Sequence, residues 1–231
     1  MLIGAVFALA GCGGDDQALV VFAVSPLSGV AGEIDPSVEV VAGDSSDLAT
    51  KIRDGAKADV FLSESAKSLQ ELRADGLVEA PAVFASNRLV IIVPAKNAAE
   101  VNHIVDLTRK GVKLVLGAKG VPVGDHARES LELAGLGAAL DNVVSLEKDV
   151  KGVVGKVVAG EADAGIVYAT DVAAAGNGVL SYPISDYFQP KISYYAAIVA
   201  SGSTAAEQYL DKLFGAEGGA ALSSAGFLPA P

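Results

Sequence analysis

The 231-residue chain carries one cysteine, two histidines and no tryptophan. A lone thiol, Cys12, cannot close an intramolecular disulfide. So small a stock of thiol and imidazole nearly excludes a Cys/His metal site or a Cys–His nucleophile. Basic residues are scarce as well: 17 Lys and Arg against 28 Asp and Glu leave a net charge of −11. Such a surface is a poor partner for nucleic acid. Any anion bound here must be held by local dipoles and hydroxyls, against the average field. What the chain does have is apolar mass, 51% of its residues, which suffices for one large domain or two lobes with real cores.

The opening run, Met1 to Gly11, is too short to span a bilayer. Its end, Leu9-Ala10-Gly11-Cys12, resembles the lipobox of bacterial lipoproteins. That likeness implies a lipidated Cys12, residues 1–17 as signal and tether, and an extracytoplasmic protein that is membrane-anchored or periplasmic. The positive segment that usually precedes such a run is missing, so a start upstream of Met1 is an expectation of this reading.

The most telling stretch is Gly43 to Ser63. Val38 to Ala42 has the length and β-branched content of a buried strand. A tight polar loop, Gly43-Asp44-Ser45-Ser46, then opens a helical pattern with Leu48, Ala49 and Ile52 on one face. Gly55 stops that helix, and Ala58 to Leu62 reads as the next strand. The result is a βαβ unit with parallel strands and a right-handed crossover. Its loop joins a strand's carboxyl end to a helix's amino end, where free N–H groups and the helix dipole favour an anion. Simple helix capping by the serines explains the loop equally well on this stretch alone. Asp44 weighs against an anion unless its carboxylate points outward.

From Ala18 onward apolar runs alternate with amphipathic ones. Strands are expected near 19–24, 38–42, 58–62, 89–93, 112–116, 143–146, 165–168 and 194–200. Helices are expected at 46–54, 65–75, 101–110, 125–134, 149–160, 204–214 and 216–225. Continuously apolar strands between helices imply an α/β architecture, each sheet mostly parallel and flanked by helices. Phe84 to Arg88 and Lys191 to Tyr194 bracket a central block, so two hinge crossings would give two lobes. The expected division is 18–85 plus 194–231 against 86–193.

Four helix starts follow strands. These are Ser25-Pro26, with proline early in the first turn, the Asp44–Ser46 loop, Val121 to Asp125, and Asp149-Val150. In open α/β sheets ligands bind outside the carboxyl ends of the strands. Several N-termini gathered there make a site of N–H and O–H donors without formal positive charge.

At these residues the chain resembles the molybdate-binding proteins of bacterial ABC importers, in the type II periplasmic binding protein superfamily. The likeness rests on Val21-Phe22-Ala23-x-Ser25, Asp44-Ser45-Ser46-Asp47-Leu48-Ala49, Gly55-Ala56-x-Ala58-Asp59-Val60-Phe61 and Asn87-Arg88-Leu89-Val90. It continues through Val121-Pro122-Val123-Gly124, Asp149-Val150, Gly160 to Tyr168 and Ala225-Gly226-Phe227, in order from Leu19 to the end. The resemblance implies an oxyanion, molybdate or tungstate, as ligand rather than cofactor. It would be bound by Ser25, Ser45, Val123, Val150 and Tyr168, with Val123 and Val150 acting through their N–H groups alone. It also implies a monomer that delivers its ligand to a membrane permease. Pro26 and the short 28–35 segment depart from the family pattern, and they predict a first helix reduced to a turn with a looser Ser25 arm.

A tetrahedral dianion only accepts hydrogen bonds, so a donor-only pocket would reject an anion that still carries a proton. Other readings on the same fold are a sulfate-like oxyanion, ferric iron at Tyr194-Tyr195, or a ligand-sensing module. Asp59, Asp163 and Asp171 sit in turn and cap contexts with no nucleophile or metal set, so an enzyme is not expected.

Overall fold

The computed structural model describes residues 18–199 and 203–231. The lipobox cysteine, Cys12, and the rest of the 1–17 segment lie outside the described residues, as does the end of the strand expected to reach Ala200. The strands are β1 (Val20–Val24), β2 (Glu39–Gly43), β3 (Val60–Ser63), β4 (Ala82–Asn87), β5 (Leu89–Pro94) and β6 (Leu114–Gly117). They continue with β7 (Val143–Glu147), β8 (Ala164–Tyr168), β9 (Val179–Pro183), β10 (Ile192–Ile198) and β11 (Leu228–Pro229). The α-helices are α1 (Ser28–Ile34), α2 (Ser45–Arg53), α3 (Ala66–Ala74) and α4 (Pro122–Leu133). After them come α5 (Val150–Val158), α6 (Ala169–Ala175), α7 (Thr204–Phe214) and α8 (Ala216–Ser224).

These elements build two sheets. One is ordered β11-β4-β10-β3-β1-β2 and the other β7-β6-β8-β5-β9. Each is parallel through three strands, β2-β1-β3 and β7-β6-β8, and antiparallel beyond them. The parallel parts come from the βαβ units legible in the sequence. The antiparallel parts come from strands that carry the chain between the sheets or back along their edges. The chain passes from the first sheet to the second at 87–89 and returns at 189–192.

All five residues of β1 are buried because its two faces feed different cores. Val21 and Ala23 join one cluster, while Val20 and Phe22 join another under α2 and α3. Strand β5 repeats the device: Leu89, Ile91 and Val93 face the large cluster, Val90 and Ile92 the one under α5. A strand buried on both faces has no need of alternation. The large cluster runs on from one sheet to the other through Leu89, Ile192 and Tyr194.

Helix boundaries follow local chemistry. Helix α2 ends where Gly55 takes φ 83°, letting its N–H reach the Ile52 carbonyl at 3.1 Å and the Ala56 N–H reach Lys51 at 2.9 Å. Ser65 caps α3 and Ser203 caps α7, each hydroxyl accepting a first-turn N–H at 3.1 Å. Helix α4 starts three residues earlier than its apolar pattern suggests, since Pro122 fits the first turn.

Three expectations are corrected. The 28–35 segment is not a bare turn: after a 3-10 turn at Ser25–Leu27, α1 makes two turns and buries Val30, Ala31 and Ile34. The helix expected at 101–110 is only a 3-10 stretch, Ile104–Thr108. There the Asp106 carboxylate accepts from the N–H groups of Asn102 and His103, both at 2.9 Å, and this competes with helical bonding. Finally, β4, β9, β11 and α6 come in addition to the expected elements. Strands β4 and β11 exist through long-range pairing to β10 and to each other, which short local patterns do not announce.

Candidate anion-binding site

Strands β1 and β2 run parallel in register, Val24 opposite Gly43, so Ser25 and the Asp44-Ser45 corner leave the sheet side by side. Strand β3 lies on the other flank of β1 and ends at Ser63. Ser45 is not a cap. It is the first residue of α2, and Asp44 fills the capping position without a side-chain cap bond. The freed hydroxyl enters a different network. Ser65 N–H donates to Ser63 Oγ at 3.0 Å, Ser63 Oγ donates to Ser45 Oγ at 3.0 Å, and Glu64 N–H reaches the same Ser45 oxygen at 3.3 Å. A hydroxyl has two acceptor sites and one proton. With the Ser63 proton on the nearer Ser45 oxygen, not on the Ser65 carbonyl 3.5 Å away, both acceptor sites of Ser45 are engaged and its own hydrogen is left to donate. Ser25 is exposed in the 3-10 turn, its carbonyl taking the Ser28 hydroxyl at 2.9 Å.

The second sheet offers a matching edge. The ends of β6 and β7 are tied by Ala118 N–H to the Glu147 carbonyl at 2.7 Å, so the starts of α4 and α5 are neighbours. Val123 is 3% exposed, its side chain packed into the large core, and as a first-turn residue its N–H has no intrahelical acceptor. The first turn of α4 lies directly on the end of β6: a Cβ on Gly124 would stand 2.3 Å from the Gly117 carbonyl oxygen. Arg128 Nη1 bridges the same place, donating to Gly117 O at 2.9 Å and Gly124 O at 2.6 Å. Asp149 caps α5 through Gly152 N–H at 2.8 Å, and Val150, half-buried, opens the helix. Tyr168 ends β8, with its hydroxyl 3.0 Å from His126 Nδ1 and its N–H donating to Asp171 Oδ2 at 3.1 Å.

The two edges face each other. Burial holds the Tyr168 phenol well above its ordinary pKa, and the charge of Glu64, across on the first sheet, pushes it the same way. Tyr194 is raised by the same two causes in the same order. Glu64 itself is pushed up to about 7, chiefly by desolvation and then by Asp44 and Asp171. Burial raises Asp171 to about 6, against the pull of the Tyr168 N–H. Desolvation lowers His126, which favours neutral imidazole. Both tyrosines therefore keep their protons at any physiological pH.

The crossings are pinned by side-chain amides. Asn87 Nδ2 donates to Thr170 Oγ1 at 3.1 Å and to Tyr194 Oη at 3.3 Å, joining the two edges. Gln189 takes the place of a strand partner for Leu89, accepting its N–H and donating to its carbonyl, both at 2.8 Å.

Residues 35–228 match the family described as bacterial extracellular solute-binding protein. The chain is 30% identical over 223 residues to the molybdate-binding protein ModA of Mycobacterium bovis, covering 91% of this chain and 84% of that one. The chain belongs to the bacterial extracellular solute-binding protein family. Its fold superposes with TM-score 0.80 and 26% identity on a substrate-binding domain assigned to a molybdenum ABC transporter of Clostridium difficile, over 93% of this chain and 99% of that one. The periplasmic molybdate-binding protein of Azotobacter vinelandii shares the fold with TM-score 0.75 and 22% identity, over 92% of this chain and all of its own. The two-sheet α/β structure is thus the two-lobed periplasmic binding protein fold.

In this solute-binding protein Ser25 and Ser45 stand at one sheet edge, and Val123, Val150 and Tyr168 at the other. Sequence reasoning missed Ser63, Glu64, His126 and Thr170. Ser63-Glu64-Ser65 follows a strand just as the other loops do, and that position was the one available signal. His126 lies one turn into α4, and nothing local pairs it with a tyrosine 42 residues away. Among the described residues no cluster of three or more His, Cys, Asp or Glu is placed to hold a metal ion. No helix among them is long and apolar enough to cross a membrane.

Proposed function

We propose that the protein captures a tetrahedral oxyanion, molybdate or its near-isostere tungstate, between its two lobes and hands it to an ABC permease. The lobes are the units around the two sheets, hinged at the crossings. Ser25 and Ser45 supply hydroxyls from one lobe, Val123 and Val150 supply N–H groups from the other, and Tyr168 adds its phenol. The single observation that carries this reading is the polarised chain Ser65 N–H, Ser63 O–H, Ser45 O–H. Each member accepts from the one behind it, so the last proton is presented to whatever lies beyond Ser45. The relatives named for molybdate support the choice of anion.

Charge-assisted hydrogen bonds contribute about 1.5–3 kcal/mol each. Desolvating the dianion and closing the lobes offset much of the sum. For Tyr168 to donate, His126 must present Nδ1–H to the phenolic oxygen, a tautomer that neutral imidazole permits. The ligand favours the closed arrangement only by its differential affinity for it. A ferric-iron reading gains no support from Tyr194-Tyr195. The two rings lie on opposite faces of β10, one in the large core and the other against the cluster under α2 and α3.

The test is a melting series with molybdate, tungstate, sulfate and phosphate. A ligand that binds only the folded state, at a hundred times its Kd, adds about 2.7 kcal/mol. For a chain of this size that raises Tm by roughly 5–10 °C. Molybdate and tungstate are expected to give this rise, and Ser45→Ala to cut it by at least half. An unchanged Tm with both metal oxyanions would refute the proposal.

A further inference from the structure

The pocket is not built from donors alone. Glu64 follows β3 on the same corner as Ser45, and its N–H is bonded to the Ser45 hydroxyl. The side chain is half-buried, and its carboxyl has no hydrogen-bond partner among the described residues. It faces Asp44 from the β2–α2 corner and Asp171 from the start of α6, with Tyr168 of β8 and Tyr194 of β10 opposite. His126 of α4 stands behind Tyr168, whose phenol also feels Asp125. None of these groups is a cation that could neutralise the Glu64 carboxylate. A dianion brought against Ser45 therefore meets the carboxyl group of the residue bonded to that serine, with two further carboxylates nearby.

We propose that Glu64 enters the pocket as a neutral carboxylic acid that donates its O–H to the bound oxyanion, so that the protein takes up one proton from solvent as the dianion binds. This rests on the oxyanion reading and adds a residue that sets its specificity. The step balances simply. The carboxylate gains a proton from water or buffer, no covalent bond to the anion forms, and the complex carries one charge less than anion plus ionised protein. The ligand-free group already titrates near neutrality, so the proton is at hand at little cost. The alternative role, an ionised Glu64 that accepts from an anion still carrying its proton, would favour hydrogen phosphate over molybdate.

Calorimetric titration of the protein decides between them, run in two buffers of different ionisation enthalpy from pH 6 to pH 8. With molybdate the wild type is expected to take up close to one proton at pH 8, and its Kd to rise about tenfold between pH 6 and pH 8. Glu64→Gln keeps an N–H donor and loses the titration. It should show no uptake at pH 8 and vary in Kd by less than about twofold over the range. Molybdate binding by the wild type without proton uptake would overturn the inference while leaving the oxyanion reading standing. Uptake that persists in Glu64→Gln would shift the proton to Asp171 and overturn it too. Hydrogen phosphate bound by the wild type and lost in Glu64→Gln, with molybdate unaffected, would identify an acceptor instead and overturn the donor role. No heat with molybdate or tungstate at any pH would overturn both readings.

Discussion

Replacing Gly124 by alanine isolates the part of the site that depends on one close approach. An ideal Cβ at Gly124 falls 2.3 Å from the Gly117 oxygen and 2.5 Å from the Ala118 oxygen. Both are backbone atoms at the end of β6; Arg128 holds the Gly117 oxygen and the Val121 N–H the Ala118 oxygen, so neither can rotate aside. To restore van der Waals contact the first turn of α4 has to lift by about 1 Å. Overpacking of this kind costs about 1–3 kcal/mol. At roughly 2–4 °C per kcal/mol for a chain of this length, Tm should fall by about 2–12 °C. The lift also carries the Val123 N–H away from the anion. Losing one bond to a charged group, about 1.5–3 kcal/mol, weakens molybdate binding roughly 10- to 100-fold. Thermal melts with and without molybdate, and calorimetry on the folded variant at low temperature, read the two effects separately. If Gly124→Ala melts within about 1 °C of wild type, the close approach is not what holds α4 to β6. If it melts lower yet binds molybdate as tightly, the Val123 N–H is not a ligand.

Two other substitutions follow from the same geometry. Gly32 lies inside α1 without a positive φ, and a Cβ there would meet nothing within 4 Å. Gly32→Ala should therefore stabilise by about 0.5–1 kcal/mol, seen as a small rise in Tm; a fall would mean that α1 is not helical in solution. Glu64, raised from 4.5 to about 7 on folding, binds its proton more tightly folded than unfolded. Its cost is therefore absent below about pH 4.5, grows between pH 4.5 and 7, and is complete above that. Discounted for the water that reaches a half-buried group, the cost is about 1–2 kcal/mol. Ligand-free Glu64→Gln should thus match wild type in urea melts at pH 5 and exceed it at pH 8; equal stability at both would show that the carboxyl stays solvated.

Much of this protein is decided locally. The βαβ rhythm, the stop at Gly55 and the cap at Asp149 each depend on neighbours within a few residues, so the order of residues along the chain was enough to place them. The fold family was legible for the same reason, since its landmarks are loops at strand ends in a fixed order. Local pattern erred where polar side chains outcompete the helix, as Asp106 does at 101–110, and where apolar packing rescued a short helix at 28–34. Only the tertiary structure decided what Ser45 does, because the groups engaging its hydroxyl lie 18 and 19 residues on. It alone paired Tyr168 with His126 of the helix packed on the same sheet, and it alone set Glu64 across from Tyr168, which depends on two sheets closing over one cleft. Backbone capping is a short-range exchange between adjacent residues; the charge and proton state of a buried group is set by everything that displaces its water, and that is known only once the chain has folded.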